Sequence, residues 1–260
     1  MTTFLDLHNR YVLECSLQTE TGLHIGSGAG GPATDAPFVR QGGLPFLPGS
    51  SLRGTLRSTV ERIARSLGGA SRFCTQFEQP AAGGCHRDEP SEKQEKLFQS
   101  GALHFCPMCS FFGCTGVAAK LKISDAAFAG AAIEPVRRDG VGIDRDTETA
   151  RDKIKFDFEV LQPGCIFTFC MHLENADDAD FALLFIMLRE MQQGFYVGGK
   201  KARGLGRVKL EGYKASYFDN GSDRPLRAFL TLGLKEKPTT EFEAWLETKF
   251  AATFPEAIPC

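Results

Sequence analysis

The sequence predicts an α+β protein, because two kinds of apolar periodicity occur in it. Apolar and polar residues alternate around Leu13, Cys15 and Leu17, and again in the segment KIKFDFEV at 153–160. Such alternation is typical of strands with one buried face. Between Leu52 and Leu67 the apolar residues instead recur every three or four positions, which is the spacing of an amphipathic helix.

The first helix and the strands after it have clear boundaries. The segment Gly-Ser-Ser at 49–51 supplies a helix start, and Gly68 and Gly69 end the helix. The strand at 153–160 is followed by the turn Leu-Gln-Pro-Gly and by another alternating run over 167–173. These two strands are predicted to form a hairpin.

The second half of the chain adds a helix, a strand and a last helix. Acidic residues open an apolar helix over 177–193, and Val208 and Leu210 mark a strand. A last helix is predicted from Thr240, with Glu243 completing a capping box. Without this last helix the order is β-α-β-β-α-β, that of a ferredoxin-like (RRM-like) core.

Composition narrows the class of protein. The chain has 260 residues, a formal net charge of −2 and nine cysteines. It therefore has no global basic field, and its length suits one domain over 1–260. No secretory leader and no membrane-spanning apolar run are visible, so we expect a cytoplasmic protein with no membrane partner.

Cysteines concentrate in an irregular insertion at 68–118. Cys106, Cys109 and Cys114 have the spacing C-x2-C-x4-C, and a thiolate pair two residues apart chelates tetrahedral zinc well. Cys85 is the preferred fourth ligand, with Cys74 or His86 as alternates. Four protein ligands would make the Zn2+ structural, whereas the competing interpretation is free cysteines packed in a core.

Two glycine-rich loops invite a nucleotide-binding interpretation, but neither matches a known fingerprint. The first, GSGAGG, is not followed by a helix, and the second, GGKKARGLG, lacks the Gly-Lys-Ser/Thr ending of a phosphate loop. The second is nevertheless basic, with Lys200, Lys201, Arg203 and Arg207 among its glycines and at its end. This combination suits a phosphodiester chain, and a flexible turn with solvated cations is the equal alternative.

Four segments, in this order, together resemble the RAMP superfamily of CRISPR proteins, and most closely the repeated backbone subunit of Csm-type type III effector complexes. They are TGLHIGSGAGGPATDAPFVR, GLPFLPGSSLRGTLR, GVGIDRDTETARDKIKFDFEVLQPGCIF and GGKKARGLGRVKL. The resemblance covers most of residues 21–210. The segment Cys85–Lys96 and the C-terminal extension 213–260, which includes the last helix, match nothing specific.

The resemblance implies a function. Such prokaryotic subunits stack as a filament of copies along a guide crRNA, beside other type III effector subunits. A thumb hairpin, placed here at about 119–160, interrupts the guide–target duplex at regular intervals. At each interruption an aspartate supports cleavage of the target RNA with Mg2+ or a similar ion, and Asp35 matches that aspartate. From the residues alone, Asp35 would be an Asx-type turn before Pro37.

The resemblance also gives the start of the first helix a role. Ser50 and Ser51, the helix amides, Arg53 and Arg57 would form a phosphate seat, where an ordinary cap with solvated arginines is the alternative. His24 would contact guide RNA or assist proton transfer, or be a hydrogen-bonded loop histidine. Two other functions stay open. One is a catalytically silent crRNA-binding backbone subunit, and the other is a zinc-stabilised ferredoxin-like domain that binds a small anion.

Overall fold

A computed structural model of the chain describes residues 5–28, 30–31, 34–68, 72–75, 85–130 and 133–255. Of the predicted insertion, residues 69–71 and 76–84 lie outside these ranges. The described strands are β1 (Asn9–Thr19), β2 (Arg40–Gln41), β3 (Leu44–Leu47), β4 (Leu121–Ile123), β5 (Ala126–Phe128), β6 (Val136–Ile143), β7 (Ala150–Val160), β8 (Ile166–Glu174), β9 (Phe195–Tyr196), β10 (Arg207–Asp219) and β11 (Lys235–Lys237). The described helices are α1 (Gly49–Gly68), α2 (Ser91–Gln99), α3 (Pro107–Phe112), α4 (Asp178–Gln193), α5 (Leu226–Leu232) and α6 (Thr239–Thr253).

A mixed α+β architecture with antiparallel sheets confirms the predicted class. The main sheet has the order β11-β10-β1-β8-β5-β3-β2, with β4 also paired to β8 and β9 to β10. Its central strand β1 pairs antiparallel with β10 on one edge and with β8 on the other. The sub-order β10-β1-β8-β4, with α1 and α4 as the two crossovers, is compatible with a ferredoxin-like core.

The core forms where the apolar periodicities predict it. Leu13 and Leu17 on β1 are fully buried, as are Leu52, Leu56 and Val60 on α1. Helix α1 begins at Gly49 and ends at Gly68, as the sequence predicts. The buried stripe of the helix and the buried face of the strand meet in one cluster. This arrangement stabilises a two-layer domain.

The predicted hairpin is the main error at the level of the fold. Both of its strands exist, but β7 pairs with β6, and β8 pairs with β1, β4 and β5. Both edges of β8 are therefore occupied by strands distant in sequence. The chain leaving β7 is held elsewhere, since Leu161 and Leu23 exchange backbone hydrogen bonds of 2.8 and 2.9 Å. The second strand of the core is thus β4, and β6 and β7 form a separate two-stranded ribbon.

The capping box predicted at the last helix is also wrong. Glu243 does not fold back on α6; its carboxylate accepts hydrogen bonds from the Gln192 side chain (2.7 Å) and the Tyr213 hydroxyl (3.2 Å). The reciprocal box occurs at α4, where Asp177 and Asp180 cap each other's backbone. Across the described ranges, no helix combines the length and the apolarity needed to cross a bilayer.

Candidate functional site

Residues 156–160 at the end of strand β7 lie beside three of the predicted site residues, Asp35, His24 and Lys200. Phe156 and Phe158 lie on one face of the strand, because side chains two residues apart share a face. Phe158 packs with Val160 and Leu205 in a small buried cluster separate from the main core, and Ala36 and Phe156 pack against it. This cluster joins three segments distant in sequence: the loop after β1, the ribbon strand β7 and the second glycine-rich loop.

The loop that contains Asp35 lies alongside β7 and is bonded to its edge. Ala36 forms a parallel bridge with Phe158, and its carbonyl accepts a hydrogen bond from the Glu159 amide at 3.0 Å. Two residues on, the Phe38 amide donates to the Glu159 carboxylate at 2.8 Å. Since β6 occupies one edge of β7, this loop takes the other edge.

Asp35 is fixed to β7 by two reciprocal hydrogen bonds. Its backbone N–H donates to Oδ1 of Asp157 at 2.7 Å, and the backbone N–H of Asp157 donates to Oδ2 of Asp35 at 3.0 Å. Asp35 is nevertheless exposed to solvent. Its carboxylate is therefore oriented by the strand through Oδ2, and Oδ1 is not part of this pair of hydrogen bonds.

The second glycine-rich loop is pinned to the chain that follows β1. The Gly199 amide donates to the His24 carbonyl at 2.9 Å, and the Gly206 amide donates to the Gly22 carbonyl at 2.8 Å. Gly198 has a φ of +81°, and a Cβ there would lie 2.3 Å from the His24 carbonyl oxygen. Only glycine fits so close an approach with a left-handed backbone.

The aromatic face of β7 holds two of the predicted RNA-binding cations. Lys200 Nζ lies 4.3 Å from the ring centroid of Phe158 and 4.9 Å from that of Phe156. The Arg203 guanidinium lies 5.5 Å from the Phe156 centroid. A cation over a ring face is stabilised without using its N–H donors. Lys201, between them, is exposed.

His24 lies on the same face of β7 but is buried. Its ring is in edge contact with Phe158, and Nδ1–H donates to the Glu159 carbonyl at 2.7 Å. Burial lowers the pKa of His24, and the nearby charge of Lys200 lowers it further, against the opposing effect of the Glu159 carbonyl. The structure thus places this residue as a neutral, hydrogen-bonded histidine between the two loops.

The remaining predicted RNA-binding residues lie away from this face of β7. Arg207 forms an ion pair with Glu20 and donates to the Gln193 carbonyl at 2.9 Å. At the start of α1, Ser50 is exposed and Ser51 half-buried.

The first amide of α1 is already occupied. The Gly49 N–H donates to the Asp125 carboxylate at 2.7 Å, so a protein carboxylate takes part of the predicted phosphate seat.

The two arginines of α1 contact the cysteine-rich insertion. Arg53 donates to the carbonyl of Phe112, and Arg57 donates to the carbonyl of Gly113 at 2.7 Å. Arg57 also lies 3.8 Å from Glu61. These carbonyls end the short helix α3, so the guanidinium groups complete hydrogen bonding that a helix C-terminus leaves open.

The insertion contains a compact group of four buried thiols, Cys74, Cys85, Cys106 and Cys109. Cys74 Sγ lies 3.2 Å from Cys106 Sγ and 3.1 Å from Cys109 Sγ, and Cys85 Sγ lies 3.9 and 3.8 Å from Cys74 and Cys109. Zn–S bonds of about 2.3 Å place tetrahedral sulfurs about 3.8 Å apart. Two of the four separations match this value and two are shorter, and the four buried thiols form a group that could hold a metal such as zinc.

The group of four thiols that could hold a metal differs from the predicted set of zinc ligands in one member. Cys85, Cys106 and Cys109 are present as predicted, and Cys74, an alternate, stands in place of Cys114. Cys114 lies beside the group, where a hydrogen bond with Cys109 lowers the pKa of its thiol to about 6. The other alternate, His86, is bonded to the backbone of His104, whose N–H donates to His86 Nδ1 at 2.9 Å.

The fold and this site define a class of protein. The family model described as "RAMPs: RAMP superfamily" matches residues 16–209, which is most of the chain, and the chain belongs to that superfamily. Among curated proteins it is similar to the "CRISPR system Cms endoribonuclease Csm3" of Streptococcus thermophilus. The two are 26% identical over 226 residues, covering 83% of this chain and 94% of the relative.

Some residues of the site were missed by sequence reasoning. Phe156 and Phe158 were interpreted only as strand residues, and Asp157 and Glu159 were given no role of their own. The structure makes the aromatic pair a cation platform and makes the acids acceptors for the amides of the Asp35 loop. The available signal was the alternation itself, in which two aromatic residues flank an acidic one.

Proposed function

We propose that the chain is the backbone subunit of a type III CRISPR effector, which binds guide crRNA and cleaves complementary target RNA at Asp35 with a divalent ion. RAMP membership and the similarity to a CRISPR endoribonuclease support this proposal. The observation that carries it is the position of Asp35, an exposed carboxylate tethered to a ribbon strand beside a cationic platform.

The ribbon of β6 and β7 is proposed as the thumb. It spans Val136–Val160 within the region 119–160 predicted from sequence. Val141, Ile143 and Ile154 are apolar and exposed on it. Exposed apolar side chains on a two-stranded arm suit insertion between stacked bases, where they replace base–base contacts with apolar contacts.

The cations proposed to bind crRNA differ in how many N–H donors they have available for phosphate. Lys200, Arg203 and the exposed Lys201 present donors beside a loop of backbone amides, which suits phosphate oxygens. Arg53 and Arg57 each use part of their donor set on the insertion, and a guanidinium retains further N–H groups for phosphate. His24 would act from a buried position through its Nε2 edge.

The proposed chemistry is a phosphodiester cleavage in which the protein supplies position and charge. The donor set around Asp35 suits Mg2+ rather than a softer metal, because it is carboxylate oxygen, and phosphate oxygens and water would complete it. When bound, such an ion neutralises charge at the scissile phosphate. Asp35 would hold it through Oδ1, while the hydrogen bond to Oδ2 keeps the carboxylate in one orientation.

The partners follow from the same proposal. Copies of the chain would stack along the crRNA, so that each bound segment adds to the affinity of the next and target cuts recur at one interval. Other type III subunits would close the assembly. The zinc ion would be structural, since four thiols leave no open coordination position.

Replacement of Asp35 by alanine tests the proposal. We expect the guide-loaded assembly to lose target cleavage by at least about 100-fold, because the chemistry depends on one placed charge. Binding of guide and target should stay within about twofold, because it rests on many phosphate contacts. Asp146→Ala, at the exposed turn of the ribbon, is the control and should cut normally. A chelator of Mg2+ too weak to remove thiolate-bound zinc should stop the wild type.

The cleavage pattern and the amount of bound RNA separate the three functions. Regularly spaced products that disappear with Asp35→Ala support the enzyme. Binding without cleavage in the wild type supports the silent backbone subunit. Protein purified without nucleic acid, and unable to bind crRNA, would refute both and leave the anion-binding domain.

A further inference from the structure

Asp157 and Asp35 are joined by two reciprocal hydrogen bonds, here called the clamp, which the resemblance does not predict. Asp157 Oδ1 accepts the backbone N–H of Asp35 at 2.7 Å, and its own N–H donates to the Asp35 carboxylate at 3.0 Å. The clamp thus fixes both the backbone and the side chain of Asp35 to one residue of the ribbon. Its second carboxylate oxygen lies 3.6 Å from Arg137 on β6, so the same side chain also touches the neighbouring strand.

We propose that Asp157 is the positioning residue for Asp35, and that it makes the geometry of the cleavage site depend on the ribbon. This inference rests on the proposed function, since it assigns a role in the reaction at Asp35. Without the Asp157 side chain the loop would lose the acceptor for the Asp35 amide, whereas the backbone N–H of residue 157 would still donate to the Asp35 carboxylate. The Asp35 backbone, and the carboxylate with it, would then be held less closely to β7. A misplacement of about 1 Å in a catalytic group can lower a rate about 100-fold.

The contacts favour positioning over direct metal binding. One oxygen of Asp157 is used by an amide and the other faces a guanidinium, so both are directed at protein groups. Asp35 instead keeps one oxygen free of the clamp. An acceptor oxygen is what the clamp requires of residue 157, and a negative charge is not.

This distinction can be tested with two substitutions. Asp157→Asn keeps an Oδ1 acceptor and removes the charge, whereas Asp157→Ala removes both. The matched control is Asp139→Ala. Asp139 is the cross-strand partner of Asp157 in the same ribbon, and it pairs with Lys155 at 3.2 Å rather than with the Asp35 loop.

Two measurements are made on each variant in the guide-loaded assembly. The first is the single-turnover rate of target cleavage at saturating target, over a Mg2+ series. We expect Asp157→Ala to lower this rate roughly 10- to 100-fold, with target Kd unchanged. Asp157→Asn and Asp139→Ala should stay within about threefold of the wild type.

The second measurement is hydrogen exchange of peptides that contain Asp35. It should accelerate in Asp157→Ala alone, because that variant lacks the acceptor of the Asp35 amide. This readout does not require cleavage, so it remains informative if Asp35→Ala shows that the proposed function is wrong.

Three results would overturn the inference. Wild-type cleavage by Asp157→Ala would show that the clamp does not serve the reaction. Equal loss in Asp157→Ala and Asp157→Asn would show that the charge matters and that the residue acts as a ligand. Unchanged hydrogen exchange in Asp157→Ala would show that the loop is held by its other contacts.

Discussion

Two regions of the described chain that contain predicted RNA-binding cations hold them by different physical means. At the face of β7, Lys200 and Arg203 rest on aromatic rings. At the junction of α1 with the insertion, Arg53 and Arg57 donate to backbone carbonyls. A ring contact leaves all the N–H donors available for a ligand, whereas a carbonyl contact occupies part of the donor set. We therefore expect the first region to serve mainly binding and the second mainly folding.

The second region also connects the thiol group to the first helix. Cys106 immediately precedes α3, Cys109 lies within it, and the carbonyls that end it are those of Phe112 and Gly113. Fixing α3 through two thiolates would thus fix the acceptors of both arginines of α1. Metal binding energy at such a site is folding energy.

The largest expected effect is therefore on metal content and stability. Cys74→Ser should lose zinc and destabilise the insertion by several kcal/mol, at least about 3, because a structural site with three thiolates binds far more weakly. Cys114→Ser is the control and should retain one zinc per chain. Metal analysis of the purified proteins and thermal unfolding measure both effects. Zinc retained in Cys74→Ser and lost in Cys114→Ser would restore the ligand set predicted from spacing.

The next largest effect concerns the affinity for guide RNA, and it tests whether the two cation-holding regions have different roles. Lys200→Ala with Arg203→Ala should weaken binding about tenfold or more and reduce the slope of log K against log salt by up to about 2. The reason is that a phosphate which no cation of the protein contacts keeps its counterions when the protein binds. Filter binding over a salt series gives both quantities.

Arg53→Ala with Arg57→Ala should lower the melting temperature more than the first pair does and change the salt slope less. The reason is that its main contacts are carbonyls that would be left without partners. If this pair flattened the slope as much as Lys200 and Arg203 do, both regions would bind phosphate and the division of roles would be wrong.

These results separate what the sequence could predict from what it could not. Helix α1 was predictable because its apolar stripe and its boundaries are local features. The pairing of β7 was not, because alternation identifies the buried face of a strand and says nothing about the partner at its edge. The hairpin prediction failed for this reason, although both strands were found.

The same limit applies to the site. The spacing C-x2-C identified Cys106 and Cys109 because one turn brings them together, whereas Cys74 joins them only through the path of the chain. Asp35 could be proposed from a resemblance, but its clamp joins residues 122 positions apart in sequence. Phe156 and Phe158 show the same pattern whether they cover a core or support cations. Non-local contacts decide each of these cases.

The smallest expected effect concerns His24, which belongs to the first region without adding to its charge. Because burial lowers its pKa below the ordinary value near 6.5, the histidine is neutral at pH 7.5. His24→Gln should therefore leave the salt slope of guide-RNA binding unchanged at that pH. A fall in the slope like that expected for Lys200→Ala with Arg203→Ala would mean that His24 is a charged phosphate contact.

The lowered pKa of His24 also has a consequence for stability. Between the folded pKa and about 6.5 the unfolded chain binds more protons at this residue than the folded chain does, so stability falls as pH drops through that window. Protonation would also place a cation beside Lys200. Melting temperatures of wild type and His24→Gln from pH 7.5 to 5 should therefore converge as the pH falls, if the neutral ring is the more stabilising side chain at pH 7.5. Parallel curves would show that His24 titrates as it does in the unfolded chain.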